Sequence, residues 1–334
     1  MMVGNFLISD ERVSKTGRYK KDKPSQVLLQ KLNKQLQPLE LEAVSNIGDF
    51  SKVPVLFISY LPRSGSTLLY QLLALTRRFN YISNLQSRFW LAPYLGGHVE
   101  ISLYDKFKAP LSLRSDYGLT SEPFEPSEFT YFWEHWLNIA RSNTHTLTKR
   151  EEKRIKTAQL VIELNALRSL SSFPLVFKKE WLGMNAGFLI ENIPNVKFVH
   201  IDRSSLDLTA SILHAREDVY GSIHSWWAAK PSNYAQLSRL DPCRQVAGQI
   251  SGIRNDISKW VSCYPDKFLC LRYEYLLQDV RRHIKMIADF SGVKLRDSDL
   301  TMLPQSIKRK TAKPLKRWGK QNILQALKEF GLNG

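Results

Sequence analysis

The sequence predicts an α/β fold of three layers, a mainly parallel central sheet lying between helices. Three observations lead there. Short apolar runs of strand length recur at Val55 to Ile58, Leu175 to Phe177, Asn195 to Asp202 and Phe268 to Leu271, and strands buried on both faces read as such continuous runs. Segments of crossover length with helical patterning separate them, as parallel pairing requires. No internal repeat and no linker rich in Pro, Ser or Gly divides the 334 residues, so one domain is expected over 53–334.

Taken in order, residues 1–52 form a polar, basic extension. Its Val27, Leu28, Leu29, Leu32, Leu36, Leu39 and Leu41 suggest one or two amphipathic helices packed on the body. Val53 to Leu73 reads as a buried strand, a tight polar turn (Pro62 to Thr67) and a helix carrying Leu68, Leu69, Leu72 and Leu73. Phe79 to Phe89 supplies a second strand or a site loop. Pro93, Gly96, Gly97, Pro110, Gly118, Pro123 and Pro126 then mark an irregular stretch, the kind that forms lids and binding loops. Glu128 to Ile139 is an aromatic-rich helix, and Lys149 to Leu170 is helical by pattern. Beyond it come the strand ending at Lys178 and Lys179, a helix over 183–192, the strand 195–202 with its helix, and a last strand leading into Arg272-Tyr273-Glu274.

Apolar content of 43% and charged content of 24% are those of a folded globular chain. The net charge of +17 is unusual and draws anionic partners. Cys243, Cys263 and Cys270 lack metal-ligand spacing and cannot all pair within the chain, which points to a reducing compartment. No metal-ligand cluster is evident. No signal-like apolar core opens the sequence, and no run reaches the roughly 20 apolar residues of a membrane span. A soluble, cytoplasmic protein is the expectation.

The turn carries the chemistry. At the start of a helix the first N–H groups have no partners within it and favour an anion. Gly65 allows close backbone approach, Ser64, Ser66 and Thr67 add hydroxyls, and Arg63 adds a fork matched to phosphate or sulfate. The phosphate-binding lysine of the G-x-x-x-x-G-K-[ST] loop is absent. Arg203 ends the 195–202 strand and Ser211 follows roughly two helical turns later, so a second anion is expected between them.

Pro62-Arg63-Ser64-Gly65-Ser66-Thr67 resembles the 5′-phosphosulfate loop of the sulfotransferases that use 3′-phosphoadenosine 5′-phosphosulfate (PAPS). Arg203 and Ser211, with Asp207 between them, resemble that family's 3′-phosphate motif, although Ser204-Ser205 stands where the family usually has Asp-Pro. Leu271 to Glu274 and the later Phe290 to Val293 resemble its R-Y-E-x-L to F-x-G stretch. The resemblance runs from Val53 to Trp318 and is weakest over 90–170, which is expected to be an acceptor-side insertion. It implies a fold related to P-loop nucleotide kinases and sulfonate transfer from PAPS to a hydroxyl or amine. It also implies 3′,5′-adenosine bisphosphate as product and no metal. Arg63, Ser64, Gly65, Ser66 and Thr67 would cradle the 5′ end. Arg203 and Ser211 would hold the 3′-phosphate, with Tyr273 beside the donor. Lys178 stands where the tyrosylprotein branch has a lysine reaching the transferring group. Lys179 is its rival, because adjacent strand residues face opposite ways.

Lys308 to Lys320 carries seven cations and no acid. Lys308, Arg309 or Lys310 would contribute if it closes over the 3′-phosphate, with Trp318 as an anchor; the alternative is a basic tail or nucleic-acid patch. The proton-accepting base must come from Glu122, Glu125, Glu128 or His135. Glu125 is favoured and Glu128 second, because a proline-stiffened acidic loop before an aromatic helix suits an acceptor pocket. A nucleotide kinase of the same broad fold and a basic nucleic-acid-binding protein are the competing functions. The acceptor itself is not legible: Trp90, Tyr94, Tyr131, Phe132, Trp133, Trp136, Trp226 and Trp227 are candidates to line its pocket.

Overall fold

The computed structural model describes residues 15–20, 22–139, 142–309 and 319–333. In chain order its elements begin with α1 (Lys23–Ser45), β1 (Val55–Tyr60), α2 (Ser66–Leu75), β2 (Asn80–Tyr81), α3 (Pro93–Leu103) and α4 (Thr130–Leu137). Next come α5 (Lys149–Glu152), α6 (Thr157–Ser169), β3 (Leu175–Lys178), α7 (Glu180–Met184), α8 (Ala186–Asn192), β4 (Val196–Asp202) and α9 (Ser205–Tyr220). The chain closes with α10 (Tyr234–Leu237), α11 (Pro242–Cys263), β5 (Phe268–Arg272), α12 (Tyr273–Gln278), α13 (Val280–Ser291), α14 (Asp297–Thr301) and α15 (Lys320–Glu329). The five strands form one sheet in the order β2-β3-β1-β4-β5. Every neighbouring pair is parallel.

All of β1 is buried, since it is the middle strand. Its side chains alternate between two cores, as the pleat requires. Val55 and Phe57 join one core with Phe177, Phe198 and Phe268, covered by α4, α6 to α9 and α11. Leu56, Ile58 and Tyr60 join the other, covered by α2, α12 and α13. Three layers result, as expected. On the first face one phenylalanine from each of β3, β1, β4 and β5 forms a row: Phe57 lies 5.9 Å from Phe177 and 5.2 Å from Phe198, and Phe198 lies 4.8 Å from Phe268. Trp133 and Phe132 of α4 pack on this row, at 5.7 Å from Phe57 and 6.4 Å from Phe177. Both aromatics therefore fill the core.

Some boundaries differ from the sequence reading, each for a local reason. Lys149 to Leu170 is two helices, because Thr148 and Glu151 form a capping box around α5 and α6 starts afresh at Thr157. The 183–192 helix divides at Asn185, whose amide bonds the Trp181 and His145 carbonyls and whose oxygen accepts the Leu147 N–H. The long helix α11 went unread. Its signals were present: Asp241 caps it, Pro242 opens it, and Val246, Ile250, Ile253 and Ile257 repeat at helical spacing into the core.

Helix α1 docks by polar groups together with Leu29 and Val44 rather than by the whole of its apolar row. Val27, Leu28, Leu32, Leu39 and Leu41 are exposed, while Asn33 and Glu40 are fully buried. Asn33 bonds the Arg88 carbonyl and the Leu91 amide. Glu40 accepts the Tyr94 and Leu95 amides at 2.7 and 3.0 Å, satisfying the open first turn of α3. No helix among the described residues is long and apolar enough to cross a membrane.

Glu163 of α6 lies beside Glu40, and burial together with that neighbour pushes its carboxyl from 4.5 up to about 9. The folded state thus holds a proton that the unfolded chain releases. The contribution of this carboxyl to stability should be fully present below pH 4.5 and be lost as pH rises through about 9. Urea unfolding of Glu163→Gln across that range should show a flatter pH profile than the wild type. A parallel slope in both proteins would remove this carboxyl as the cause.

Candidate functional site

Three strand ends converge above the sheet. After β1 the chain turns through Arg63 at φ 71° and Gly65 at φ 91°, both in the left-handed region, and α2 begins at Ser66 with no side chain capping its first amides. The Ser64 hydroxyl is buried with no hydrogen-bond partner. A Cβ on Gly65 would lie 2.3 Å from the Tyr273 ring, so close packing as well as backbone conformation demands glycine there. Burial, opposed by Tyr117 and aided by the charge of Arg203, lowers the Arg63 guanidinium from its ordinary value.

The end of β4 meets this turn directly. Arg63 Nε donates to Ser211 Oγ at 2.8 Å, and Arg203 Nη1 donates to the Arg63 carbonyl at 3.3 Å. Arg203 also pairs with Asp207 at 3.0 Å and lies over the Tyr273 ring at 4.7 Å from its centroid. Arg309 donates to the same Asp207 carboxylate. Ser211 therefore serves as the hinge between the two motifs, receiving Arg63 rather than Arg203.

At the end of β3 both lysines reach one carboxylate. Lys178 Nζ is 2.5 Å from Glu128 Oε1 and Lys179 Nζ is 3.1 Å from Oε2. The expected divergence fails because the strand stops at Lys178: Lys179 already caps α7, and its side chain leaves the strand's alternation. Tyr60 of β1 donates to Glu128 at 3.2 Å and to Glu180 at 2.8 Å, and Lys179 also pairs with Glu180 at 3.3 Å. Burial works to raise the Glu128 carboxyl, but the two ammonium groups hold it down to about 2. Burial and both carboxylates push the Tyr60 phenol far up, so it remains a donor. Glu128 is placed by its neighbours in sequence. Phe129, at φ 52°, turns the chain into α4, whose rings are stacked on the phenylalanine row.

Glu125 does a different job. Its buried carboxylate accepts the Ser112 amide and hydroxyl at 3.1 and 2.6 Å and the Ser121 and Glu122 amides at 3.3 and 3.4 Å. It thereby closes the 112–122 loop upon itself and does not line the cavity. The loop is laid against α2: Gln71 donates to the Ser112 and Arg114 carbonyls, and Thr67 to that of Gly118. A Cβ on Gly118 would lie 3.6 Å from Glu128 Oε1 and 3.9 Å from Lys178 Nζ, so this glycine borders the same centre.

These strand ends open into one cavity of about 1870 Å³. A profile described as the sulfotransferase family matches residues 54–297, from the edge of β1 to α14. The chain belongs to the sulfotransferase family. No curated protein sequence matches it. Among solved structures it is similar to sulfotransferase STF9 from Mycobacterium avium, at 12% identity and a TM-score of 0.55, over 88% of this chain and 80% of that one. Sulfotransferase STF1 from Mycobacterium tuberculosis H37Rv matches at 12% identity and the same TM-score of 0.55, over 91% and 85%. At such identity the likeness shows the fold, and family and fold together support sulfonate transfer in general.

In this sulfotransferase the cavity is lined by Arg63, Gly65, Ser66, Thr67, Glu128, Lys178, Lys179, Arg203, Tyr273 and Lys308. Of the aromatic candidates, Trp90, Tyr131, Trp226 and Trp227 line it too, and Tyr94 and Trp136 do not. Glu122 and His135 also stay outside the lining. Lys310 and Trp318 lie outside the described residues. Sequence reading missed Tyr60, Glu180 and Gly118, and it missed His145, whose Nδ1 accepts the Lys230 amide at 3.1 Å. Burial and the nearby Lys230 and Lys179 bring His145 down to about 3, so a neutral ring faces the cavity. A polar tail on an otherwise apolar β1 was the available signal for Tyr60; nothing local marked the others.

Glu125→Ala should accelerate amide hydrogen exchange across 112–122 and lower stability by about 1–3 kcal/mol, the cost of leaving buried donors unpaired. Unchanged exchange in that peptide would show that the loop does not depend on this carboxylate.

Proposed function

We propose that this chain transfers a sulfonate group from PAPS to a hydroxyl or amine of its acceptor, leaving 3′,5′-adenosine bisphosphate. One observation carries the reading: the turn after β1 and the end of β4 form a single cationic platform, joined by the Arg63 to Ser211 and Arg203 to Arg63 hydrogen bonds. An anion on one end has a second anion site within the same network, which suits a nucleotide bearing both a 5′-phosphosulfate and a 3′-phosphate. The residues fit such a group. Uncapped helix amides, the unpartnered Ser64 hydroxyl and a glycine pressed against Tyr273 are what an anion cradle needs.

When bound, the donor supplies an activated sulfonate on a phosphate leaving group. In this reading Arg63, Ser64, Gly65, Ser66 and Thr67 hold its 5′ end. Arg203, Ser211, Lys308 and Arg309 hold the 3′-phosphate, and Tyr273 packs beside them. Lys178 provides positive charge where negative charge builds up during transfer. Glu128 takes the acceptor's proton, in place of Glu125, whose oxygens are committed to the 112–122 loop. Its carboxylate is ionised at neutral pH and is held in place by Tyr60 and Lys179. Loss of the Lys178 contact, as that ammonium turns to the donor, would raise its basicity. Residues 90–170 form the acceptor side, a reading supported by Trp90, Tyr131 and Glu134 in the cavity wall. A cytoplasmic setting belongs to the same reading and is supported by Cys243, Cys263 and Cys270, all free thiols.

Thermal shift separates this from the kinase and nucleic-acid readings. The bisphosphate should stabilise the protein at micromolar concentration; stabilisation by ATP with magnesium or by a DNA oligonucleotide, but not by the bisphosphate, would overturn it. Glu128→Gln should lower kcat by roughly 10²- to 10⁴-fold and leave bisphosphate affinity within about twofold. Full turnover in that variant would move the base elsewhere. Arg203→Ala should weaken the bisphosphate much more than adenosine 5′-phosphosulfate, which lacks the 3′-phosphate, and equal losses would remove Arg203 from that end.

A further inference from the structure

The turn that carries Arg203 is held from outside by a residue that no motif marks. Ser204 has φ −46° and ψ 130°, and Ser205 opens α9. A proline at 205 would fix this backbone unaided: its ring sets φ at about −65° at the first helical position, and the residue before it prefers extended geometry. The chain has serine at both positions, and serine leaves the turn free to move.

Hydrogen bonds supply the missing constraint. Arg254, on α11, donates from Nη1 to Ser205 Oγ at 2.7 Å and from Nη2 to the Arg203 carbonyl at 2.9 Å. Its Nε and Nη2 also take both oxygens of Asp202 at 3.0 Å. Asp202 in turn accepts the Arg203 amide at 2.7 Å, so both backbone groups of Arg203 are fixed through one guanidinium. Glu274 accepts the Ser204 amide at 2.9 Å and holds the same turn from the side of α12. A planar fork with five donors spans a bidentate carboxylate, a hydroxyl and a carbonyl at once, four bonds where an ammonium has three donors.

We propose that Arg254 is a positioning residue for the anion site at the end of β4, fixing through Ser205, Asp202 and the Arg203 carbonyl the turn from which the Arg203 guanidinium reaches the cavity. The choice of ligand rests on the donor reading above; the geometric claim does not. Arg254→Lys keeps a cation beside Asp202 and removes the fork, which spares the fold. In the unliganded protein it should speed amide exchange in the 200–208 peptide, and adding Ser205→Pro to it should restore slow exchange. Bisphosphate affinity, by calorimetry, should fall roughly tenfold in Arg254→Lys and recover most of that in the double variant, while affinity for adenosine 5′-phosphosulfate changes less than about twofold. Wild-type exchange in Arg254→Lys, or a double variant as fast as the single one, would overturn the proposal. Restored exchange in a protein that never binds the bisphosphate would instead leave the positioning role standing and overturn the donor reading.

Discussion

Register across the parallel sheet is the constraint on which the site depends. Phe57 stands opposite both Phe177 and Phe198, and Phe198 opposite Phe268. A slip by one residue would turn any of these rings into the opposite core, which is already filled by its own side chains. The row therefore fixes where each strand ends. With Ile58 opposite Lys178 and Tyr60 opposite Ile201, the Arg63 turn, the Lys178 ammonium and the Arg203 turn come out at one edge of the sheet. In open α/β sheets ligands gather at that edge because helix amides point there and no side chain fills it.

Helix α4 extends the same logic to the acid. Its rings are core residues, yet by stacking on the phenylalanine row they deliver Glu128, just ahead of the helix, to the end of β3. Two buried lysines and a buried tyrosine then hold one carboxylate. Such a cluster is costly to assemble and costlier to break, since removing one member strands an unpaired charge. The 112–122 loop, tied by Glu125 and laid across Thr67, covers the same centre from above.

Much of this was legible in the chain. The apolar runs located the strands because buried parallel strands have no polar face. The polar turn at Pro62 to Thr67 and the nearness of Arg203 and Ser211 to it were visible because they stand out at short spacing from the apolar strands around them, although Ser211 bonds Arg63 rather than the Arg203 it was paired with. Which carboxylate meets the lysines was not legible in the same way. Glu125 and Glu128 sit three residues apart in one acidic loop, and no local pattern tells a carboxylate that accepts its own loop's amides from one that accepts lysines of another strand.

Lys178 and Lys179 show the same divide. Strand alternation argues for opposite faces, and only the folded chain reveals that the strand ends between them. Arg254 lies some fifty residues from the turn it braces, on a helix that carries no motif. The sequence by itself determined the sheet, the polar turns at its edge and the family, because each is written in local pattern. The tertiary structure alone decided which carboxylate meets the lysines, how Ser211 joins the two motifs, and what holds Arg203, because those depend on hydrogen bonds between residues that neither spacing nor composition brings together.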